Sequence, residues 1–212
     1  MKEYSNTLPK IWFYRLNGRK HLPTLNEIKI AENLPQPKVN IFLESRAQIR
    51  YSLSTLFDIN PLDVPLEAFP GEPPNLPENM GNLSISHCRD ALVVIWSKNR
   101  IGIDIERVDR NFNFRSLNDK YFIPNSNEKE KVQPEEVLKK WSGIEAAIKW
   151  DKGKLSKDLR YWKYVKNKNY IFHERKKLEI NLSQFVFHNW IISIAYKNSM
   201  HSDISNIICA NI

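Results

Sequence analysis

Hydrophobic and polar positions alternate most regularly at Ile101-Gly102-Ile103-Asp104-Ile105-Glu106. A period of two puts the three isoleucines on one face of a strand and Gly102, Asp104 and Glu106 on the other. Ala91 to Trp96, apolar throughout, predicts a neighbouring strand, joined to the first by a hairpin connection at Ser97-Lys98-Asn99-Arg100. Ile11 to Leu16 predicts an aromatic-rich strand ended by the turn signal Asn17-Gly18, and Leu83 to His87 a short strand running into a turn at Cys88-Arg89-Asp90. Tyr161–Val165, Tyr170–Phe172, Leu178–Ile180 and Trp190–Tyr196 fit antiparallel strands.

A helical period governs other stretches. Pro134-Glu135-Glu136 is a helix start, with Pro at the first position and acids in the first turn. From there Val137, Leu138, Trp141, Ile144 and Ile148 make one buried stripe, and Lys152-Gly153-Lys154-Leu155 ends the helix. Asn40 is positioned to cap a second helix from about Ile41 to Phe57, with Phe42, Ile49, Leu53 and Leu56 on one face. Phe114, Leu117 and Tyr121 predict a short helix before Pro124. The polar, proline-punctuated stretch between these strands and helices, up to Pro37, predicts no element. Residues 61–77 hold six of the twelve prolines and predict an ordered loop, and residues 125–133 a charged connection. The pattern breaks at Arg110-Asn111-Phe112-Asn113, so we divide the chain into residues 1–108 and 109–212. Leu92 to Asn99 is echoed by Ile191 to Asn198, offset by 99 residues, which agrees with two halves.

The 212 residues suffice to bury a sizeable core. No uninterrupted apolar run exceeds six residues, so no segment predicts a membrane span, and the first residues lack the apolar stretch of a secretory signal. Two cysteines, Cys88 and Cys209, fit a reducing cytoplasm better than a disulfide scaffold, and neither has zinc-site spacing. The net charge of +8 is concentrated: Lys139 to Lys177 holds thirteen Lys or Arg against four Asp or Glu. Such a region attracts an anion (a phosphorylated cofactor, nucleic acid or an acidic protein), or is simply solvated.

The candidate chemistry begins with Asp104 and Glu106. Two carboxylates on an apolar strand need a cation if buried, and a hard divalent ion with oxygen ligands suits them; a strand whose polar face meets water explains the alternation equally well. Glu145 and Lys149, one helical turn apart at the border of the buried stripe, supply a third oxygen ligand and a cation for a phosphate or leaving group, or else form a surface ion pair. Arg46 and Arg50 lie one turn apart on the second helix, an arrangement that suits phosphate.

Gly-Ile-Asp-Ile-Glu, with the downstream Trp141-Ser142-Gly143-Ile144-Glu145-Ala146-Ala147-Ile148-Lys149 and the upstream Leu83-Ser84-Ile85-Ser86-His87, resembles the 4'-phosphopantetheinyl transferases of the Sfp type. The three segments come in that family's order, and the resemblance covers roughly residues 38 to 155. It implies an α+β fold of two similar halves related by pseudo-twofold symmetry. Each half would be a small antiparallel sheet with a packed helix, and the active site would lie between them. It implies transfer of the phosphopantetheine arm of coenzyme A to a serine of an apo acyl or peptidyl carrier protein. Asp104, Glu106 and Glu145 would hold Mg²⁺, with Glu145 as base and Lys149 stabilising the departing 3',5'-ADP. Arg46, Ser86, His87 and Lys149 would contact the cofactor, with Lys38 a further candidate. We expect a cytoplasmic monomer. Two departures stand out: Ile144 replaces the family's helical lysine, and Glu72 the lysine of its Gly-Lys-Pro turn. The alternative from another class is a non-catalytic, basic nucleic-acid-binding protein, whose aromatics interleaved with lysine would stack bases.

Overall fold

The structure, a computed structural model, describes residues 8–18, 21–67, 72, 75–122, 133–165 and 168–197, and the backbone of 207–209. The connection expected at 125–133 lies, but for Gln133, outside the described residues. In chain order the elements are β1 (Lys10–Arg15), α1 (Leu25–Ala31), α2 (Gln36–Phe57), β2 (Asn82–Cys88), β3 (Ala91–Ser97), β4 (Ile101–Arg107), α3 (Phe114–Tyr121), α4 (Pro134–Trp150), α5 (Leu155–Asp158), β5 (Trp162–Tyr164), β6 (Tyr170–His173), β7 (Leu178–Phe187), β8 (Trp190–Tyr196) and β9 (Ile207–Cys209). A short 3₁₀ turn at Pro61–Asp63 opens the proline-rich loop and another at Glu78–Met80 follows it. This is a mixed α+β fold. Among the described residues no helix is long and apolar enough to cross a membrane.

The strands form two sheets, of order β2-β3-β1-β9 and β4-β8-β7-β6-β5. Neighbours are antiparallel except β1 and β9, which run parallel. The hairpin expected between β3 and β4 does not form. β1 and β2 already occupy the two edges of β3, and the Ser97–Arg100 connection instead carries the chain into the other sheet. There β4 pairs with β8, with Asp104 opposite Ser193 and Glu106 opposite Ile191. Strands therefore cross the division near residue 109.

The strand alternation sorts the core into layers. Ile11, Phe13, Val93 and Ile95 of the first sheet pack against Ile101, Ile103, Ile105, Ile192 and Ile194 of the second. The other face of the first sheet, through Trp12, Tyr14, Leu92, Val94 and Trp96, is covered by Ile49 and Leu53 of α2. The other face of the second, through Trp162, Ile171, Ile180 and Ala195, is covered by Ile144, Ala147 and Ile148 of α4. The layers thus run helix, sheet, sheet, helix.

Two departures lie near α2. The helix begins at Gln36, more than a turn before the expected Ile41, so Asn40 is internal and Pro37 sits in the first turn, where its missing N–H costs nothing. The stretch before it, which predicted no element, contains α1, started by a capping box: Thr24 Oγ1 accepts from the Glu27 N–H, and Glu27 Oε2 accepts from the Thr24 N–H at 2.8 Å. The other Glu27 oxygen accepts from Arg50 Nε at 2.9 Å, and Arg50 also donates to the carbonyls of Val64 and Leu66. Arg50 is therefore a buried fastener between α1, α2 and the proline-rich loop.

Candidate functional site

Gly102 explains how the strand carboxylates meet the helix. A Cβ at this position would collide with the Ala146 carbonyl oxygen and lie 2.5 Å from the Trp150 nitrogen. The α4 backbone therefore rests directly on β4, which brings Glu145 and Lys149 over the face that carries Asp104 and Glu106. Ser142, fully buried, fastens the same helix from below by a 2.7 Å hydrogen bond to Ser193 of β8. Trp141, expected in the buried stripe, is half-buried against Tyr121 instead.

Asp104 is 2% exposed. Its Oδ1 accepts from the Ser86 hydroxyl at 2.7 Å and from Lys149 Nζ at 2.8 Å, and Lys149 also donates to Ser86 Oγ at 2.7 Å. Oδ2 is buried with no hydrogen-bond partner. Glu106, also buried, accepts twice from Arg110 Nη1, at 2.7 and 2.8 Å, and the Cys88 thiol lies 3.8 Å from its Oε2. Burial, with Glu106 beside it, pushes that thiol up to about 11, so it is an unreactive neutral group. Burial raises Glu106 above the ordinary carboxylate range. Burial first, then the Asp104 charge, pushes Glu145 up to about 8 against the opposing pull of Lys149.

Among the described residues no ready-made cage of three or more His, Cys, Asp or Glu ligands is formed. The donors nevertheless suit a hard divalent cation. The Asp104 charge adds to the raised proton affinity of Glu106 and Glu145, and a buried carboxylate oxygen without a partner carries a cost that a cation removes.

Beside this cluster opens a cleft of about 920 Å³. It draws on α2 (Arg46, Ser45), β2 (Ser86, His87) and α4 (Glu145, Lys149), so residues on both sides of position 109 line it. Arg46 is 6% exposed, its guanidinium 4.9 Å from the Phe42 ring, and its Nη1 is buried with no hydrogen-bond partner. A buried, unengaged guanidinium N–H beside a cleft is a preformed anion donor. Arg50, one turn on, is withdrawn into the fastener and does not line the cleft. Lys38 lines it, and so does Glu72, an exposed acid.

His87 Nε2 lies 2.9 Å from Ser45 Oγ. His87 is exposed as a residue, yet desolvation of its ring, followed by the Lys149 and Arg46 charges, pushes it down to about 4. Exposure weakens the desolvation part, and the two cations act in the same direction. The imidazole is therefore neutral near pH 7. Ile144, at 1% exposure, packs into the core under α4 and does not line the cleft.

The predicted residues thus fall into one neighbourhood: Ser86 lines the cleft while bonded to Asp104 and Lys149, and Arg50 is held within the fold. Sequence reading passed over Ser45, Arg110 and Ser142. Of these, only Arg110 carried a visible signal, four residues after Glu106.

The pKa directions give a measurable pH dependence. Between 4.5 and about 8 the folded protein holds a proton on Glu145 that the unfolded chain has released, so stability falls as pH rises. His87 acts oppositely between about 4 and 6.5, where only the unfolded chain is protonated, so the two offset each other up to 6.5. From pH 6.5 to 8 the Glu145 contribution is no longer offset by His87. The melting temperature without divalent cations is expected to fall across that window and to be restored by Mg²⁺ at pH 8. In Glu145→Gln the slope should flatten; an unchanged slope in that variant contradicts the assignment.

No family model matches the chain, and no curated protein matches it either.

Proposed function

We propose that the protein transfers the 4'-phosphopantetheine arm of coenzyme A to a serine of an apo acyl or peptidyl carrier protein. The observation that carries this reading is the convergence of anion donors and carboxylates on one cleft. Arg46 with its unengaged Nη1, His87 and Lys149 line that cleft together with Glu145, and Asp104 stands directly behind Ser86 and Lys149. That set matches in kind what a phosphate-bearing substrate and a divalent cation require. A basic surface alone requires neither buried carboxylates nor an unpaired buried oxygen.

Asp104, Glu106 and Glu145 would hold Mg²⁺, which when bound neutralises phosphate charge and helps align the groups for in-line transfer. Arg46 offers its free N–H to a phosphate of coenzyme A, and neutral His87 offers a hydrogen bond that an arriving phosphate strengthens by favouring imidazolium. Lys38 adds charge at the cleft wall. The carrier serine Oγ forms a bond to the phosphorus nearer the pantetheine, and the bridge to the other phosphate breaks, its electron pair leaving with 3',5'-ADP. Glu145, protonated near neutral pH without a cation, would give up that proton when Mg²⁺ is bound, and its carboxylate then takes the serine proton. Lys149 stabilises the departing phosphate with its ammonium group.

The pseudo-twofold arrangement belongs to the same proposal. Its support is that the echoed segments form β3 and β8, each an interior strand and each the second arm of a hairpin, after β2 and β7. One long helix also covers the outer face of each sheet.

Calorimetric titration with coenzyme A tests the substrate. Binding is expected in wild type, weakened about tenfold or more in Arg46→Ala, the usual loss for a charge-assisted hydrogen bond. Equal affinity in wild type and variant would remove Arg46 from the site. Absence of binding in wild type would remove the reading.

A further inference from the structure

Among the described residues, Ser86 is the one cleft hydroxyl bonded to both an acid and a base of the cluster. Its Oγ donates to Asp104 Oδ1 at 2.7 Å and accepts from Lys149 Nζ at 2.7 Å. Its bond to Asp104, like the direct Lys149–Asp104 bond, falls on one oxygen of the carboxylate, and the other, Oδ2, is left buried and unengaged. Ser84, two residues earlier on the same face of β2, accepts from the Ile103 N–H at 3.0 Å. β4 pairs with β8 along one edge, and these two serines tie β2 to its other side. Ser84 grips the backbone next to Asp104, and Ser86 grips the side chain itself.

We infer that Ser86 is a positioning residue for the cation carboxylate. It fixes the Asp104 rotamer through Oδ1, so that Oδ2 alone is presented, and it holds Lys149 at the same oxygen as an internal counter-ion. This rests on the transferase reading and changes one part of it, since a hydroxyl engaged twice within the protein is not the phosphate contact that the resemblance implies for Ser86. Without the hydroxyl, Asp104 gains rotational freedom and Oδ1 loses a donor that a neutral side chain supplied. Partners that orient metal-binding groups typically contribute about 10- to 100-fold to metal affinity.

The test uses the full chain and Mn²⁺ as probe, with binding read by electron paramagnetic resonance and coenzyme A affinity measured separately in chelator. Ser86→Ala is expected to weaken Mn²⁺ binding by about tenfold or more. Ser86→Thr, which keeps the hydroxyl, is expected to retain it, and both variants should bind coenzyme A in chelator as wild type does. Melting curves confirm that each variant is folded. Unchanged Mn²⁺ affinity in folded Ser86→Ala overturns the inference and leaves the transferase reading intact. Loss of coenzyme A affinity in chelator, with Mn²⁺ binding preserved, also overturns it and returns Ser86 to the phosphate. If wild type binds coenzyme A but no Mn²⁺, the cation part of the transferase reading fails and this inference fails with it.

Discussion

Asp104→Asn is expected to reduce phosphopantetheine transfer by on the order of 10³-fold, the scale of losing one preorganised electrostatic group at a reacting centre. The substitution keeps the size and shape of the side chain. It removes the charge that holds Lys149 at 2.8 Å, and with it the carboxylate whose Oδ2 is buried without a partner. Coenzyme A affinity measured in chelator should hold or tighten, because Asp104 repels phosphate when no cation is present. The loss therefore belongs in the single-turnover rate and not in substrate binding. A variant that transfers at close to the wild-type rate would show that Asp104 serves only to anchor Lys149.

The second large effect is on folding. Gly102→Ala is expected to destabilise the protein by about 3 kcal/mol or more, the upper end of what overpacking costs, because the new methyl meets the main chain of α4 and not a movable side chain. Urea denaturation reads the loss as a shifted midpoint at constant slope. Where the variant still folds, α4 must lift away from β4, carrying Glu145 and Lys149 with it, so activity should fall further than stability alone explains. A midpoint unchanged from wild type would mean that the helix does not rest on the strand as described.

Much of this arrangement is legible in the sequence where a period is strong. The alternation from Ile101 to Glu106 and the helical stripe after Pro134 predict β4 and α4, and Gly102 sits among the alternating positions as the one residue without a side chain. The partner of β4 was not legible. β3 is buried along its whole length and β4 is buried from Ile101 to Glu106, so neither has a wet face that would reveal which sheet it joins. A short connection of Ser, Lys, Asn and Arg reads as a hairpin whether or not the strands pair. The half-exposed alternative for Asp104 and Glu106 failed for the same reason: both are buried.

Side-chain roles were less legible than elements. Arg46 and Arg50 look equivalent, one turn apart on one helix. Only Glu27 and two loop carbonyls, far off in sequence, decide that Arg50 is spent on the fold while the Arg46 Nη1 remains free. The capping box at Thr24 to Glu27 was visible, but it heads a seven-residue helix too short to show a period. Ser86 stands in a segment whose resemblance points to phosphate, and its bonds to Asp104 and Lys149 arise from the packing of β2 beside β4, which spacing does not encode.

The most direct measurement of the central claim is the mass of a panel of apo acyl and peptidyl carrier proteins after incubation with the protein, coenzyme A and Mg²⁺. The account predicts a gain of one phosphopantetheine on at least one carrier, abolished by chelator and in Asp104→Asn. No gain on any carrier, together with strongly salt-sensitive binding of RNA or DNA, would contradict it and favour a basic nucleic-acid-binding protein.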